Sequence, residues 1–527
     1  MQQQYSCDVI VSGAGPVGLF LAAELRRFGL SVTVLERLAE TSRQIKAGSV
    51  GPSSAELLDQ RGLLDEFPKP DLSRFAGVAG DGPPRPVGHF AGLWVLRGDP
   101  QIRALPIFAQ QHEVEAVLER HARAEGAVIR RGHEVLTVTD DTAGTPGAAE
   151  PGPAGHAGDY PVRVTARGPG GPAGLSARYL VGCDGGRSLV RKLAGFDFPG
   201  TGATITGRQA LVGIAEPSPL QRGWQRTEHG MIVFGPDPRR VLTVEFDGPP
   251  ADRDAPVSQD EVQASLRRVS GTDVTLTSMQ TGTRWTDNTR QATGYQRGRI
   301  LLAGDAAHVY PPFGGQGINL GLQDAANLGW KLAATIAGRA PAGLLGTYTA
   351  ERHPVAAAAL ANTRAQVALM RPDPQTSALR ALFTDLMGYD DANQHISRLM
   401  AGVDQPYPPD GRDRQAGPGA AALDAAVGRM AADRMIEAED GARRLYELLR
   451  VPGALLVDGS PDGSWSRAVA APPLRVVRAP GAGSQLIRPD GIVAWGAPAG
   501  ARAGDDDAGA GQLAAAAGRW LGEPALR

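Results

Sequence analysis

One stretch near the N terminus restricts the fold more than any other. An apolar run at 7–12 with one early Asp leads into Gly13-Ala14-Gly15-Pro16-Val17-Gly18. The next residues, LFLAAELRRFG, carry helical apolar spacing and end at Gly29; a second strand pattern at 31–35 then terminates in Glu36. A G-x-G-x-x-G alone arises by chance, but strand, turn, helix, strand and acid in this order specify a parallel βαβ unit built around a dinucleotide. Gly13 permits the tight turn, Gly15 lets backbone approach a pyrophosphate, and Gly18 lets the helix lie against the strand. Pro16 and Val17 complete that phosphate turn, and the helix N-terminus offers it unpaired N–H groups. Glu36 suits ribose hydroxyls and its charge repels a 2′-phosphate, which favours FAD or NAD over NADP at this site; Arg37 beside it is a further cofactor-binding candidate.

A similar G-x-G-x-x-A at Gly509, Gly511 and Ala514 follows an acidic loop rather than a strand, so it is rejected. No second credible fingerprint exists, and a nicotinamide partner would have to bind without a domain of its own.

Composition narrows the class. The 527 residues hold 54 basic and 56 acidic side chains, a balance that argues against nucleic acid and anionic membrane as partners. Two cysteines, Cys7 and Cys183, rule out a disulfide scaffold and a cysteine-based metal or redox site; no metal is expected. No apolar run reaches the roughly 18 residues of a membrane span, and the first ten residues lack a signal-peptide layout. A cytoplasmic protein is expected.

Two further segments repeat the theme of acid and glycine at a strand's end. ARYLVGCDGGRSLVRKLAG (177–195) reads as strand, sharp Asp184–Gly185 turn and helix. RGRILLAGDAAHVYPPFGGQGINLGLQDAANLGWK (297–331) reads as a buried strand, Gly304–Asp305, a Pro-Pro-Phe-Gly-Gly loop and a long helix from about Gly317. GAGPVG with Glu36, Cys183-Asp184-Gly185 and GDAAHVYPPFGGQGIN together resemble the three signatures of single-component FAD-dependent aromatic hydroxylases. VGCDGGRSLVRKLAGFDFPGT, NTRAQVALMRPD and IRPDGIVAW resemble the actinobacterial subgroup that tailors angucycline, anthracycline, mithramycin and tetracycline-type polyketides. The similarity spans essentially the whole chain.

The resemblance implies roles for residues. Asp305 would bond the FAD ribitol or phosphate linkage, and Pro312, Gly315, Gln316, Gly317 and Asn319 would line the isoalloxazine. Backbone N–H groups and a helix dipole there suit the negative charge of reduced flavin. Gln111 would reach the cofactor, and Asp184 and Gly185 belong to the turn near FAD and the nicotinamide. Lys46 stands where relatives commonly carry Arg, keeping the charge but losing the bidentate fork. Ser53 stands where many relatives carry an Arg facing the catalytic region.

The implied fold class is α/β: a Rossmann-like FAD-binding domain, an inserted antiparallel β-sheet substrate domain and a C-terminal thioredoxin-like domain. The expected divisions are 1–76, 104–197 and 285–403 for FAD; 77–103 and 198–284 for substrate; and 404–527, without CxxC, for the last. A Pro-rich linker opens this last part, and 144–159 reads as a surface loop. Phe90, Leu93, Trp94, Met231, Phe234 and Phe246 are apolar candidates for a flat polycyclic aromatic substrate, and each is more often core than ligand contact. No triad is expected; His308, Arg284 and Tyr310 are outside candidates for a catalytic role.

The expected activity is hydroxylation of a polycyclic aromatic polyketide in antibiotic biosynthesis. Electrons come from NADPH or NADH, and O₂ adds to the flavin as a C4a-hydroperoxide. The rivals are Baeyer–Villiger insertion next to a ring ketone, an antibiotic-inactivating monooxygenase, and a flavin-bearing protein that sequesters a planar drug. The expected state is monomer or homodimer.

Overall fold

A computed structural model describes residues 5–69, 87–141, 160–215, 219–235, 237–253, 255–403, 406–407, 426–469, 474–504 and 507–522. The loop expected at 144–159, the substrate segment's residues 77–86 and most of the linker from 404 lie outside them.

The apolar strand Tyr5–Ser12 pairs in parallel with Val32–Glu36 on one side and Gly171–Gly182 on the other. Ile300–Leu302 and Val128–Arg131 extend this sheet outward, again in parallel. Strands so placed are covered on both faces, which is why Val9, Ile10, Val11, Leu301 and Leu302 show no exposed surface. The sheet has eight strands, the remainder antiparallel at its margin. The acids and glycines of all three sequence motifs therefore fall at the same, carboxyl, end of adjacent strands, where open α/β sheets bind ligands.

Helices Pro16–Arg27 and Gln316–Ile336 cross at close range because the second offers glycines. A Cβ on Gly321 would stand 2.4 Å from Val17 Cγ2, and one on Gly329 would stand 2.8 Å from Glu24 Cβ. Beneath them Glu24 pairs with Arg61 at 2.8 Å, buried on both sides.

A separate five-stranded antiparallel sheet runs in the order Gly223–Thr227, Gly230–Phe234, Arg240–Glu245, Thr206–Ile214, Leu276–Thr286. One face carries helix Gln259–Ser270, begun by the Ser258 hydroxyl accepting from Glu261 N and ended by Gly271 at φ 67°. The other face meets three helices, Thr347–Met370, Pro374–Leu386 and Asp390–Ala401, through Val367, Met370, Phe383 and Met400. Residues 347–403, assigned by sequence to the FAD domain, thus serve both bodies: Tyr348 and Val355 join the FAD-side core, and the later residues roof the substrate sheet. A hairpin of Gly88–Phe90 and Leu93–Leu96 is held under that roof by Ala91 N donating to Gln366 Oε1 and Asn393 Nδ2 donating to Val95 O.

After residue 425 a four-stranded mixed sheet forms in the order Leu474–Arg478, Ala454–Asp458, Ser484–Ile487, Val493–Ala497. The rejected glycine motif lies within its terminal helix Asp507–Leu521. This module is joined to the rest by a buried charge cluster, in which Arg488 pairs with Glu351 and Asp490 while Lys331 pairs with Glu351 at 2.6 Å. Among the described residues, no helix is long and apolar enough to cross a membrane.

Candidate active site

The three motifs converge by backbone contact. Gly13, at φ 105°, passes so close to the second turn that a Cβ would lie 2.4 Å from Cys183 O. A Cβ on Gly18 would meet Gly13 O at 2.0 Å. In the third turn Gly304, at φ 62°, leaves room for Val17 of the first, whose Cγ2 would be 2.9 Å from an added Cβ. Gly15, Gly185, Gly315 and Gly317 differ: an added Cβ would meet no protein atom closer than 3.9 Å. Gly15 and Gly317 leave open space at this sheet edge, as fits a backbone that must approach a cofactor, whereas Gly185 and Gly315 also stand at φ 81° and 62°, where the turn itself favours glycine.

The groove has the polarity of a dinucleotide site. Pro16 begins its helix with no side-chain cap, so the first N–H groups are left for a phosphate. Glu36 Oε2 accepts from Ala14 N at 2.8 Å and Oε1 from Leu38 N at 2.9 Å, which fixes the carboxylate at the strand end. Asp305 is accessible, yet protein surrounds its carboxyl closely enough to push its pKa above the usual value, against the pull of His308 and Lys46. It stands in a groove rather than on an open surface. Gly317 at the start of the long helix faces it, with an added Cβ 3.9 Å from Asp305 Oδ1. Pro312 and Gly315 are exposed beside it. Gln316 is buried, its Oε1 without a partner.

Other candidates hold the walls. Asp184 Oδ2 accepts from Leu189 N and Val190 N at 2.7 and 3.1 Å, and its Oδ1 is buried without a partner. Gln111 donates to Glu115 at 2.8 Å, while its N–H holds Ala47 O beside the exposed Lys46. Asn319 is engaged on both sides, accepting from Gly51 N at 2.8 Å and donating to Gly315 O at 2.7 Å. It clamps the loop before residue 52 to the helix start rather than pointing at a flavin ring. Arg37 is exposed at the strand end.

Of the catalytic candidates, His308 and Tyr310 are brought together and Arg284 is not. His308 has no exposed surface, and its Nε2 lies 2.7 Å from Asp324, which also holds Arg352 at 2.7 Å and accepts from Gly304 N. This network braces the third turn and leaves His308 out of reach of a substrate. Arg284 lies on the far face of the substrate sheet, bonded to Glu261 and to two backbone carbonyls. Tyr310 stacks on His308 with its hydroxyl buried and unpartnered, and burial pushes its pKa well up.

The substrate candidates divide by strand alternation. Met231 faces the roof helices and Phe246 packs there too, with Arg371 5.6 Å from its ring. Phe234 points the other way, into the core under helix Gln259–Ser270, and is corrected to a structural residue. Phe90 is core, stacked on Phe383 at 5.2 Å. Leu93 is half-buried, and Trp94 is 53% exposed at the hairpin edge. Sequence reasoning passed over the aromatic side chains nearest the flavin helix. Phe313 immediately precedes Gly314–Gly315, with Trp285 at 5.2 Å and Trp224 at 6.4 Å.

A family model described as FAD binding domain matches residues 6–363, and one described as aromatic-ring hydroxylase, C-terminal, matches 424–524. The chain belongs to the FAD-dependent aromatic-ring hydroxylases. It is 37% identical to the 12-dehydrotetracycline 5-monooxygenase/anhydrotetracycline 6-monooxygenase of Streptomyces rimosus, over 98% of this chain and 99% of that one. The solved structure of OxyS anhydrotetracycline hydroxylase from Streptomyces rimosus matches with a TM-score of 0.83 at 36% identity, covering 99% of this chain and 100% of that one. The dialkyldecalin synthase of Streptomyces rugosporus is 35% identical, over 94% of this chain and 96% of its own length. Within this hydroxylase family, then, a similar chain can carry a name that is not an oxygenase's.

Proposed function

We propose that this hydroxylase binds FAD in the groove between the three turns and adds one oxygen atom from O₂ to a planar polycyclic aromatic polyketide, with NADPH or NADH as reductant. The chemistry FAD supplies when bound is two-electron uptake from the nicotinamide and activation of O₂. The protein's part is to bind, orient and keep water out. Gly15 and the helix at Pro16 would hold the pyrophosphate, with Gly13 setting the turn, Glu36 would hold the ribose, and Asp305 the ribitol side. The N-terminus of Gln316–Ile336 gives partial positive charge to the reduced ring.

The observation that carries the reading is the position of Phe313. It joins the flavin loop to a sheet face of Trp224, Met231, Val244 and Trp285, an apolar aromatic surface that suits a flat ring system. The C-terminal module is proposed to be thioredoxin-like in fold; Cys7 and Cys183 both lie outside it, so it holds no dithiol.

The test is nicotinamide consumption by the FAD-loaded enzyme with polycyclic phenols, under air and without oxygen, with the product solved by NMR. Substrate-stimulated consumption and a new phenol carrying oxygen from labelled O₂ support the reading. A lactone would move it to Baeyer–Villiger chemistry. A similar solved structure described as a Diels-Alderase favours a second reading, cycloaddition without redox change, and turnover with neither O₂ nor nicotinamide would establish that instead.

A further inference from the structure

The flavin-facing side of the five-stranded sheet leaves an unpaired donor. Trp285 Nε1 is buried and has no hydrogen-bond partner. Burying such a group without a partner is costly, so an orphan of this kind calls for a role.

Its placement is specific. Trp285 pairs across the strands with Gly207, where an added Cβ would lie 2.2 Å from the indole. The ring can lie across the sheet only because residue 207 has no side chain. Its neighbour Arg284 points to the opposite face and pairs with Glu261. Trp285 meets Phe313 edge-on, at 5.2 Å and 83°. On the other flank of Phe313, Trp224 packs at 4.7 Å against His89, whose Nδ1 is likewise buried without a partner. Burial holds the His89 imidazole neutral, with its pKa down at about 4, so this surface carries no charge from it near neutrality. On the sheet side the cluster also includes Ile205, Met231, Leu242, Val244 and Phe246. A largely apolar surface whose indole N–H is unpartnered suits a flat, uncharged ring system that offers it an oxygen acceptor.

We propose that the Trp285 indole N–H donates a hydrogen bond to a carbonyl or phenolic oxygen of the bound polycyclic substrate and so sets which ring edge meets the flavin. This rests on the hydroxylase reading above.

The experiment uses FAD-loaded full-length enzyme with nitrogen-labelled tryptophan, and two uncharged probes of one ring framework, 2-(hydroxymethyl)anthraquinone and 2-(hydroxymethyl)anthracene. Trp285→Phe and Trp224→Phe assign two of the seven indole signals. Both probes are expected to perturb Trp224 and Trp285, and the quinone alone to move the Trp285 N–H downfield. Trp285→Phe should weaken quinone binding about fivefold to tenfold and leave anthracene binding within about twofold. If the quinone shifts Trp224 but not the Trp285 N–H, or the variant weakens both probes equally, the proposal is overturned while the hydroxylase reading stands. If loading FAD alone moves that N–H downfield and neither probe alters it further, the donor serves the cofactor or a water, and the proposal is again overturned. If neither probe moves either indole, this sheet face does not take up the ring system and the proposal is overturned, while the hydroxylase reading is decided separately by nicotinamide consumption.

Discussion

Gly13 and Cys183 touch through their backbones: the space a Gly13 Cβ would occupy ends 2.4 Å away at Cys183 O. Two strands that lie far apart in sequence are brought to one ligand-binding edge by the absence of one methyl group. The glycines of the first turn therefore do two separable jobs. Gly13 and Gly18 let the protein pack on itself, and Gly15 leaves space that the protein does not fill.

This separation gives a sharp prediction. Gly15→Ala meets no protein atom and sits at an ordinary φ of −76°, so the apoprotein should melt with a stability within about 0.5 kcal/mol of the parent. Its FAD affinity should fall about tenfold or more, because the methyl occupies the path of the pyrophosphate. Gly13→Ala should instead fail as apoprotein, losing soluble yield. Calorimetry of the apo forms and flavin titration separate the two.

Glu36 is already engaged without ligand, holding the N–H groups of Ala14 and Leu38. Glu36→Gln should turn one acceptor into a donor that faces an N–H, costing about 1–2 kcal/mol of apoprotein stability. FAD binding should weaken as well, since the ribose loses its charged acceptor. Denaturant titration and flavin titration of the same preparation measure both.

Glu24 supplies a pH signature. Burial alone would raise its pKa, but Arg61 and Arg27 prevail and lower it from 4.5 to about 2. A carboxylate held low contributes stability that is fully present above its unfolded value and is lost as pH falls from about 4.5 toward 2. The shift corresponds to about 3 kcal/mol as an order of magnitude. Glu24→Gln should be less stable at neutral pH, and its stability should change less than the parent's across that acidic window. Denaturation at a series of pH values checks it.

His308 should be dispensable for proton transfer. With no exposed surface and its Nε2 on Asp324, it holds the third turn in place. His308→Asn is expected to lower the melting temperature, by about 1–3 kcal/mol of lost stability, and to leave the shape of the pH–rate profile unchanged. Disappearance of one limb of that profile would instead assign the residue an acid–base role.

The cofactor side of this site was legible because its information is local. Gly13, Gly15, Gly18 and Glu36 sit at spacings that one βαβ unit imposes, and Gly304 and Asp305 repeat the pattern at another strand end. The substrate side depends on which way each strand faces, and strand alternation punishes an error of one residue. Arg284 and Phe234 are the candidates that sequence offers, whereas Trp285 and Val233, their immediate neighbours, are the ones on the sheet face that packs with Phe313 and the roof helices. Only the pairing of Trp285 with Gly207 reveals the orientation, and that pairing joins strands far apart in sequence. The roof helices carry a stretch that resembles the family, NTRAQVALMRPD at 362–373, but it says nothing of their direction, so their turn from the FAD core toward the sheet is read only from packing.

The most direct test of the account is the flavin content of the purified protein after supply of FAD, read from its visible absorbance against protein concentration. We expect one FAD per chain, released on denaturation as free dinucleotide, and little retained by Gly15→Ala. A colourless parent protein that takes up no FAD under these conditions would contradict the convergence of the three turns on a flavin.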